Sequence, residues 1–115
     1  MKVEEAIAVF SSYSLEEKKE FLAQLIYELT LVARDSYEVG GEGLTNPQRV
    51  RRVNEVQHRL SAFLGKLLRD DPQRYPDDTL VKIFVGWSGD DQELGQQLLA
   101  AFAAAHRLTT SLSVG

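Results

Sequence analysis

Apolar residues recur along the chain at the spacing of amphipathic helices, and the alternation of half-buried strands is almost absent. Val3, Ala6, Ile7 and Phe10 follow i, i+3, i+4, i+7 and predict a short first helix, interrupted by "SSYS". Ser14 and Glu17 then have capping-box spacing: the Ser hydroxyl accepts an amide three residues on, and the Glu carboxylate reaches back. A second helix is expected over 15–37. Leu22, Leu25, Ile26, Leu29 and Ala33 form its apolar stripe, flanked by Phe21 and Val32. "EVGGEGLTN" stops it, because glycines permit positive φ and break the periodicity. Thr45 or Asn46 is placed to cap a third helix over 47–69, with Pro47 in its first turn. Val50, Val53, Val56, Leu60, Phe63, Leu64, Leu67 and Leu68 make its apolar face.

"RDDPQRYP" ends the third helix near Asp70. Pro76 opens a fourth, with Asp77 and Asp78 at its positive end. "TLVKIFVGW" is apolar nearly all round, which implies burial on more than one side or an interface. Gly89 ends this helix, and Asp90 is expected to cap a fifth. There Leu94, Leu98, Ala101, Phe102 and Ala105 share a face, and the alanines between 100 and 105 favour helix and let a neighbour approach closely. "TTSLSVG" reads as a flexible tail over 109–115, leaving 1–108 as a single domain. The pattern predicts an all-α bundle of about five helices. Its frame is an antiparallel hairpin of the 15–37 and 47–69 helices, with the shorter helices on its open side.

A chain of 115 residues can bury a core without metal or disulfide support, and 43% apolar content supplies one. The absence of cysteine excludes disulfides, thiolate metal sites and a Cys nucleophile, and agrees with a cytoplasmic protein. "MKVEEAIAVFSSYS" has acids inside its apolar run, unlike a signal peptide. No stretch approaches the ~18 apolar residues that span a bilayer, so no membrane association is expected. A net charge of −4 disfavours general binding to nucleic acid. The distribution is uneven, however. Between 47 and 69 stand Arg49, Arg51, Arg52, Arg59, Lys66 and Arg69 against Glu55 alone. Such a segment in an acidic chain finds its partner in the same fold or in a second copy. The acidic flank of the second helix, Glu17, Glu28 and Asp35, is the nearest candidate.

Four chemical readings compete for the third helix. Glu55-x-x-His58 sets a carboxylate and an imidazole one turn apart, as in di-iron bundles, but those use the unit twice and add two further Glu. Here it occurs once, and Glu55 lies among Arg52, Arg59 and Lys66, so pairing with Arg59 is preferred to a metal. The row Arg52, Arg59, Lys66 and Arg69, with Arg49 and Arg51 at its edges, suits phosphates. Yet no short turn precedes the helix, as helix-turn-helix units require, and no aromatics interleave the row. Asn54, His58, Ser61 and Gly65 form a narrower row between the apolar and basic faces. Small Ser61 and Gly65 would admit another backbone, and Asn54, Gln57 and His58 would hydrogen-bond across the contact. A packed helix is preferred there to a ligand. Finally, "GGEGLTNPQR" lacks the Gly-Lys-Ser/Thr ending of a phosphate-binding loop and follows a helix rather than a strand.

Tyr27 and Leu31 stand one turn apart on the polar side of the second helix. Together with Ile83, Phe84 and Trp87 they suggest more apolar surface than one bundle needs, and hence a homodimer. No catalytic constellation and no cofactor motif is present. The expectation is a non-enzymatic cytoplasmic protein of regulatory, inhibitor or adaptor type, acting through an unidentified protein partner or self-association. Its interaction candidates are Tyr27, Leu31, Arg52, Asn54, His58, Arg59, Ser61, Gly65 and Trp87. The alternative is a metal or small-ligand site around Glu55, His58 and Asn54. A nucleic-acid surface ranks behind both.

Overall fold

The computed structural model describes residues 1–38 and 47–113, with side chains over 1–35 and 47–110. Five helices follow in order: α1 (Val3–Ser11), α2 (Leu15–Glu38), α3 (Pro47–Asp70), α4 (Asp77–Gly86) and α5 (Gln92–Ser113). The capping box forms as its spacing dictates. Ser14 N–H donates to Glu17 Oε1 at 2.9 Å, and Glu17 N–H donates to Ser14 Oγ at 3.2 Å. The glycine-rich run and the expected caps at Thr45 and Asn46 lie outside the described residues.

α2 and α3 form the expected long antiparallel pair, and α5, a third long helix, joins it. α2 packs most extensively on two long helices, α3 and α5, and so sits between them. Leu22 and Leu25 near the start of α2 line a common void with Leu64 toward the end of α3; Phe21 meets Phe102 midway along α5, while Leu31 and Val32 lie beside Gln97 and Ala100 nearer its start, so α2 is antiparallel to both. The reason lies in the width of its apolar surface. Phe21, Leu22, Leu25, Leu29 and Ala33 are all buried, and one neighbour cannot cover that arc. Ala101 and Ala105 are buried on the facing side of α5, where their small side chains permit close approach.

α1 and α4 pack on each other and on α5, closing one end of this three-helix layer. The closure is aromatic. Phe21 lies 5.7 Å from Phe10, 5.3 Å from Tyr13 and 4.6 Å from Phe102, and Phe102 lies 6.1 Å from Phe84. These ring pairs contribute about 0.5–1.5 kcal/mol each beyond the area they bury. The residual void among Phe10, Phe21, Leu64, Leu80, Phe84 and their neighbours is about 10 Å³, at the lower limit for one ordered water, and its lining is apolar. Lys18 is buried among them. Its ammonium lies 5.1 Å from the Phe10 ring centre and 2.8 Å from Asp77 Oδ1, tying α2 to the first turn of α4.

Two expected boundaries move. The cap of α5 is Asp91, not Asp90: its Oδ1 accepts the Leu94 amide at 3.0 Å, and its carbonyl accepts the Gly95 amide. α5 also continues to Ser113, beyond the expected boundary at Leu108. Thr109 is 1% exposed, and its hydroxyl donates to the Ala105 carbonyl at 2.8 Å, so a polar residue enters the core with its hydrogen bond satisfied inside the helix. "TTSLS" looked like a tail because hydroxyl residues carry little helix propensity, and tertiary burial overrides that preference. Deleting 109–115 is therefore expected to lower the thermal midpoint, which circular dichroism melts of the truncated and full chains measure.

Candidate functional site

The nine interaction candidates do not converge on one site. α3 divides them by angle around its axis. Val50, Val53, Val56, Leu60, Leu64 and Leu67 point inward. His58 and Arg59 are exposed, while Asn54, Ser61 and Gly65 are half-buried at the margin. Ser61 Oγ accepts a hydrogen bond from Gln57 Nε2 of its own helix at 3.0 Å. A Cβ built on Gly65 meets no heavy atom within 4 Å. At Gly65, therefore, no close neighbour of the expected kind is found among the described residues. A mid-helix glycine costs roughly 0.5–1 kcal/mol relative to alanine, and nothing inside the fold offsets it at Gly65.

The basic residues also part company. Arg49 and Arg52 turn toward the α4–α5 junction rather than toward the acidic flank of α2. Arg49 Nη1 lies 2.6 Å from Asp91 Oδ2, and Nη2 lies 3.4 Å from Gln97 Oε1 and 3.6 Å from Glu93. Arg52 Nη2 donates to the Ser88 carbonyl at 3.1 Å. The turn beneath these groups is closed by amides of Ser88, Gly89 and Asp91 reaching back three residues, and Gly89 has φ +57°. That conformation favours glycine, and a Cβ there would stand 3.1 Å from the Arg52 guanidinium. One helix turn earlier than sequence patterning suggested, α4 gives way at Gly86 to make room for this arrangement.

Asp91 thus caps α5 and holds Arg49 at once. The Leu94 amide and the two arginines keep its carboxyl below the ordinary carboxylate range, against the opposing effect of burial. Glu55 pairs with Arg59 at 2.9 Å, as the i, i+4 spacing predicts, which leaves it poorly placed to ligate metal beside His58. Among the described residues, no group of three His, Asp or Glu side chains is arranged to hold a metal ion. Likewise, no described helix is long and apolar enough to cross a membrane.

Tyr27 remains 57% exposed, while Leu31 lines a groove of about 250 Å³ between α2 and α5, beside Glu28, Val32, Gln97 and Ala100. Arg34 and Asp35 at this end are exposed and lie 3.6 Å apart. Trp87 and Ile83 are half-buried, Phe84 is buried, and Trp87 packs against the core. Most of the apolar surface that "IFVGW" seemed to offer is thus consumed within the fold. A broad basin of about 520 Å³ is lined by Gln48, Arg49, Arg51, Arg52, Glu55 and Asp91, but three of those charged groups already answer one another or the backbone.

Sequence reasoning missed two features. At the end of α3, Phe63, Lys66, Asp70, Arg74 and Tyr75 line a cleft of about 200 Å³, smaller than usual ligand pockets. Phe63 and Tyr75 stack obliquely at 5.9 Å across it, and the "RDDPQRYP" turn that positions Tyr75 has no helical period to reveal it. At the other end of the molecule, the Tyr13 hydroxyl meets His106 Nδ1 in a short contact between the α1–α2 turn and α5. Burial, reinforced by the Glu17 carboxylate, pushes the Tyr13 phenol up to about 12. The two residues stand 93 positions apart, and no local pattern links them.

Comparison with known protein families, with characterised proteins and with solved structures finds no match.

Two titrations follow from this geometry. Asp91→Ala is expected to cost about 1–2 kcal/mol at neutral pH through the lost cap. Because the Asp91 carboxyl is depressed in the folded state, its contribution is present above the ordinary carboxylate range and lost as pH falls through the folded value. Urea melts of wild type and variant should therefore converge in acid. Tyr13 has the opposite sign. Its raised phenol stabilises the fold fully below pH 10.0, and that contribution is lost as pH rises toward about 12. Tyr13→Phe should flatten the alkaline decline in thermal midpoint over that interval.

Proposed function

We propose that the protein acts by binding. It is a small cytoplasmic helical protein of regulatory, inhibitor or adaptor type that self-associates and presents a further surface to a protein partner. The observation that carries this reading is Tyr27, a large aromatic side chain left mostly in water, with Leu31 one turn away at the edge of the α2–α5 groove. Apolar surface of this kind, rimmed by the charges of Glu28, Arg34 and Asp35, marks association faces. An antiparallel crossing of α2 on a second copy sets Tyr27 against that copy's Leu31 and Leu31 against its Tyr27. The contact is then self-complementary, as a two-fold dimer requires.

The polar groups favour binding over chemistry. Asp91 is held by Arg49, Glu55 by Arg59 and Asp77 by Lys18, so these carboxylates stabilise neighbours instead of standing ready for a substrate. A chain without cysteine also suits a reducing compartment. Size-exclusion chromatography with light scattering tests self-association. The wild type is expected to run as a dimer whose monomer fraction grows on dilution. Tyr27→Glu combined with Leu31→Glu should give a monomer with an unchanged circular dichroism spectrum. A wild type that stays monomeric over a wide concentration range would sink the dimer.

A further inference from the structure

The outer face of α3 is a second surface, independent of Tyr27 and Leu31. Arg51, Glu55, His58, Arg59, Ala62, Lys66 and Arg69 are all exposed along it. Arg59 is paired with Glu55, while Arg51, Lys66 and Arg69 make no ion pair among the described residues. The cations extend over about 27 Å of helix at the usual rise per residue. The chain as a whole has a net charge of −4, so this face carries the opposite sign to its surroundings. Near its middle Ala62 is exposed, and half-buried Gly65 stands at its margin. Ala62 and Gly65 lie one turn apart, and the direction a Gly65 side chain would take is open. The glycine weakens the helix, and among the described residues nothing comes close enough to require the absence of a side chain. It does leave room for a backbone to approach from outside.

We propose that this face docks an acidic amphipathic helix of a partner protein. The inference rests on the reading that the protein works by binding. The charge selects the occupant. A second copy presenting the same face would set cations against cations in either helix direction, with Arg51 beside Arg69 or each against itself, and such opposition disfavours a two-fold contact. Duplex nucleic acid would meet Glu55 within the row and a net-negative chain around it. An acidic helix pairs its carboxylates with Arg51, Lys66 and Arg69, while its own small seam residues pack over Ala62 and Gly65. A straight, convex helix face also suits a helix better than a small molecule, which needs concavity.

The test uses a fluorescein-labelled synthetic amphipathic peptide with an Ala-Leu seam flanked by glutamates, measured by fluorescence anisotropy against the full chain. The expected result is saturable binding that weakens with salt. Lys66→Glu with Arg69→Glu should abolish it. Gly65→Gln should weaken it roughly tenfold or more, as truncation or blocking of a central contact does. Thermal melts accompany each variant: Gly65→Gln and Gly65→Ala are expected to raise the midpoint, because the fold makes no use of the glycine. Binding no tighter than that of a lysine-flanked control peptide overturns the proposal. So does equal affinity for Gly65→Gln, a lowered midpoint for Gly65→Ala, or preferential binding of a duplex DNA probe. Light scattering on the Tyr27→Glu, Leu31→Glu double variant reads self-association separately, so failure of the α3 face is distinguishable from failure of the dimer.

Discussion

The two-sided burial of α2 is the constraint on which the rest of the molecule depends. Its apolar arc is wider than one facing helix can cover, so α3 takes one side and α5 the other. Once those three helices are antiparallel neighbours of α2, α3 and α5 run the same way, and their N-terminal ends come together. The remaining short helices pack at the end where Phe21 gathers rings from α1, the α1–α2 turn and α5, and the contact passes through Phe102 to α4. Side-chain fit at that end is close, since the void left there is only about 10 Å³.

The polar interactions fix register on this apolar frame. Arg49 and Arg52 of α3 hold the α4–α5 junction, with Asp91 answering both the helix amides and the guanidinium. Lys18 performs the corresponding task at the other junction, between α2 and α4. Each is partly buried, so the pairs are less screened than surface ion pairs, and breaking one partner strands the other. The same economy explains why charged residues that resemble a site in the sequence do not assemble into one. Glu55 belongs to Arg59, and the basic basin over Arg49 and Arg52 is occupied by the protein's own carboxylate and carbonyl.

What is left to solvent follows from the same packing. α3 contributes one narrow stripe to the core and turns its broad polar side outward, with Gly65 among its small residues. α2, covered on two sides, has one free sector, and Tyr27 occupies it. The two surfaces differ in character, one centred on an exposed aromatic side chain, the other basic.

The sequence by itself determined the helices. Periodicity, the Ser14–Glu17 box and the breaks at Ser11, Asp70 and Gly86–Gly89 are local properties, and backbone hydrogen bonding responds to them locally. It determined as well the apolar faces of α3 and α5, since a helix face is fixed by spacing alone. The partners across the fold were decided only by the tertiary structure. Whether Arg49 meets α2 or α5, whether Asp90 or Asp91 caps, whether Thr109 frays or enters the core, and whether Gly65 faces a helix or water all depend on how separate elements are placed. Helical periodicity carries no term for the distance between elements, so Tyr13 and His106 could meet unannounced. For the same reason, the Asn54–Gly65 row could be located on α3 without its neighbour being known.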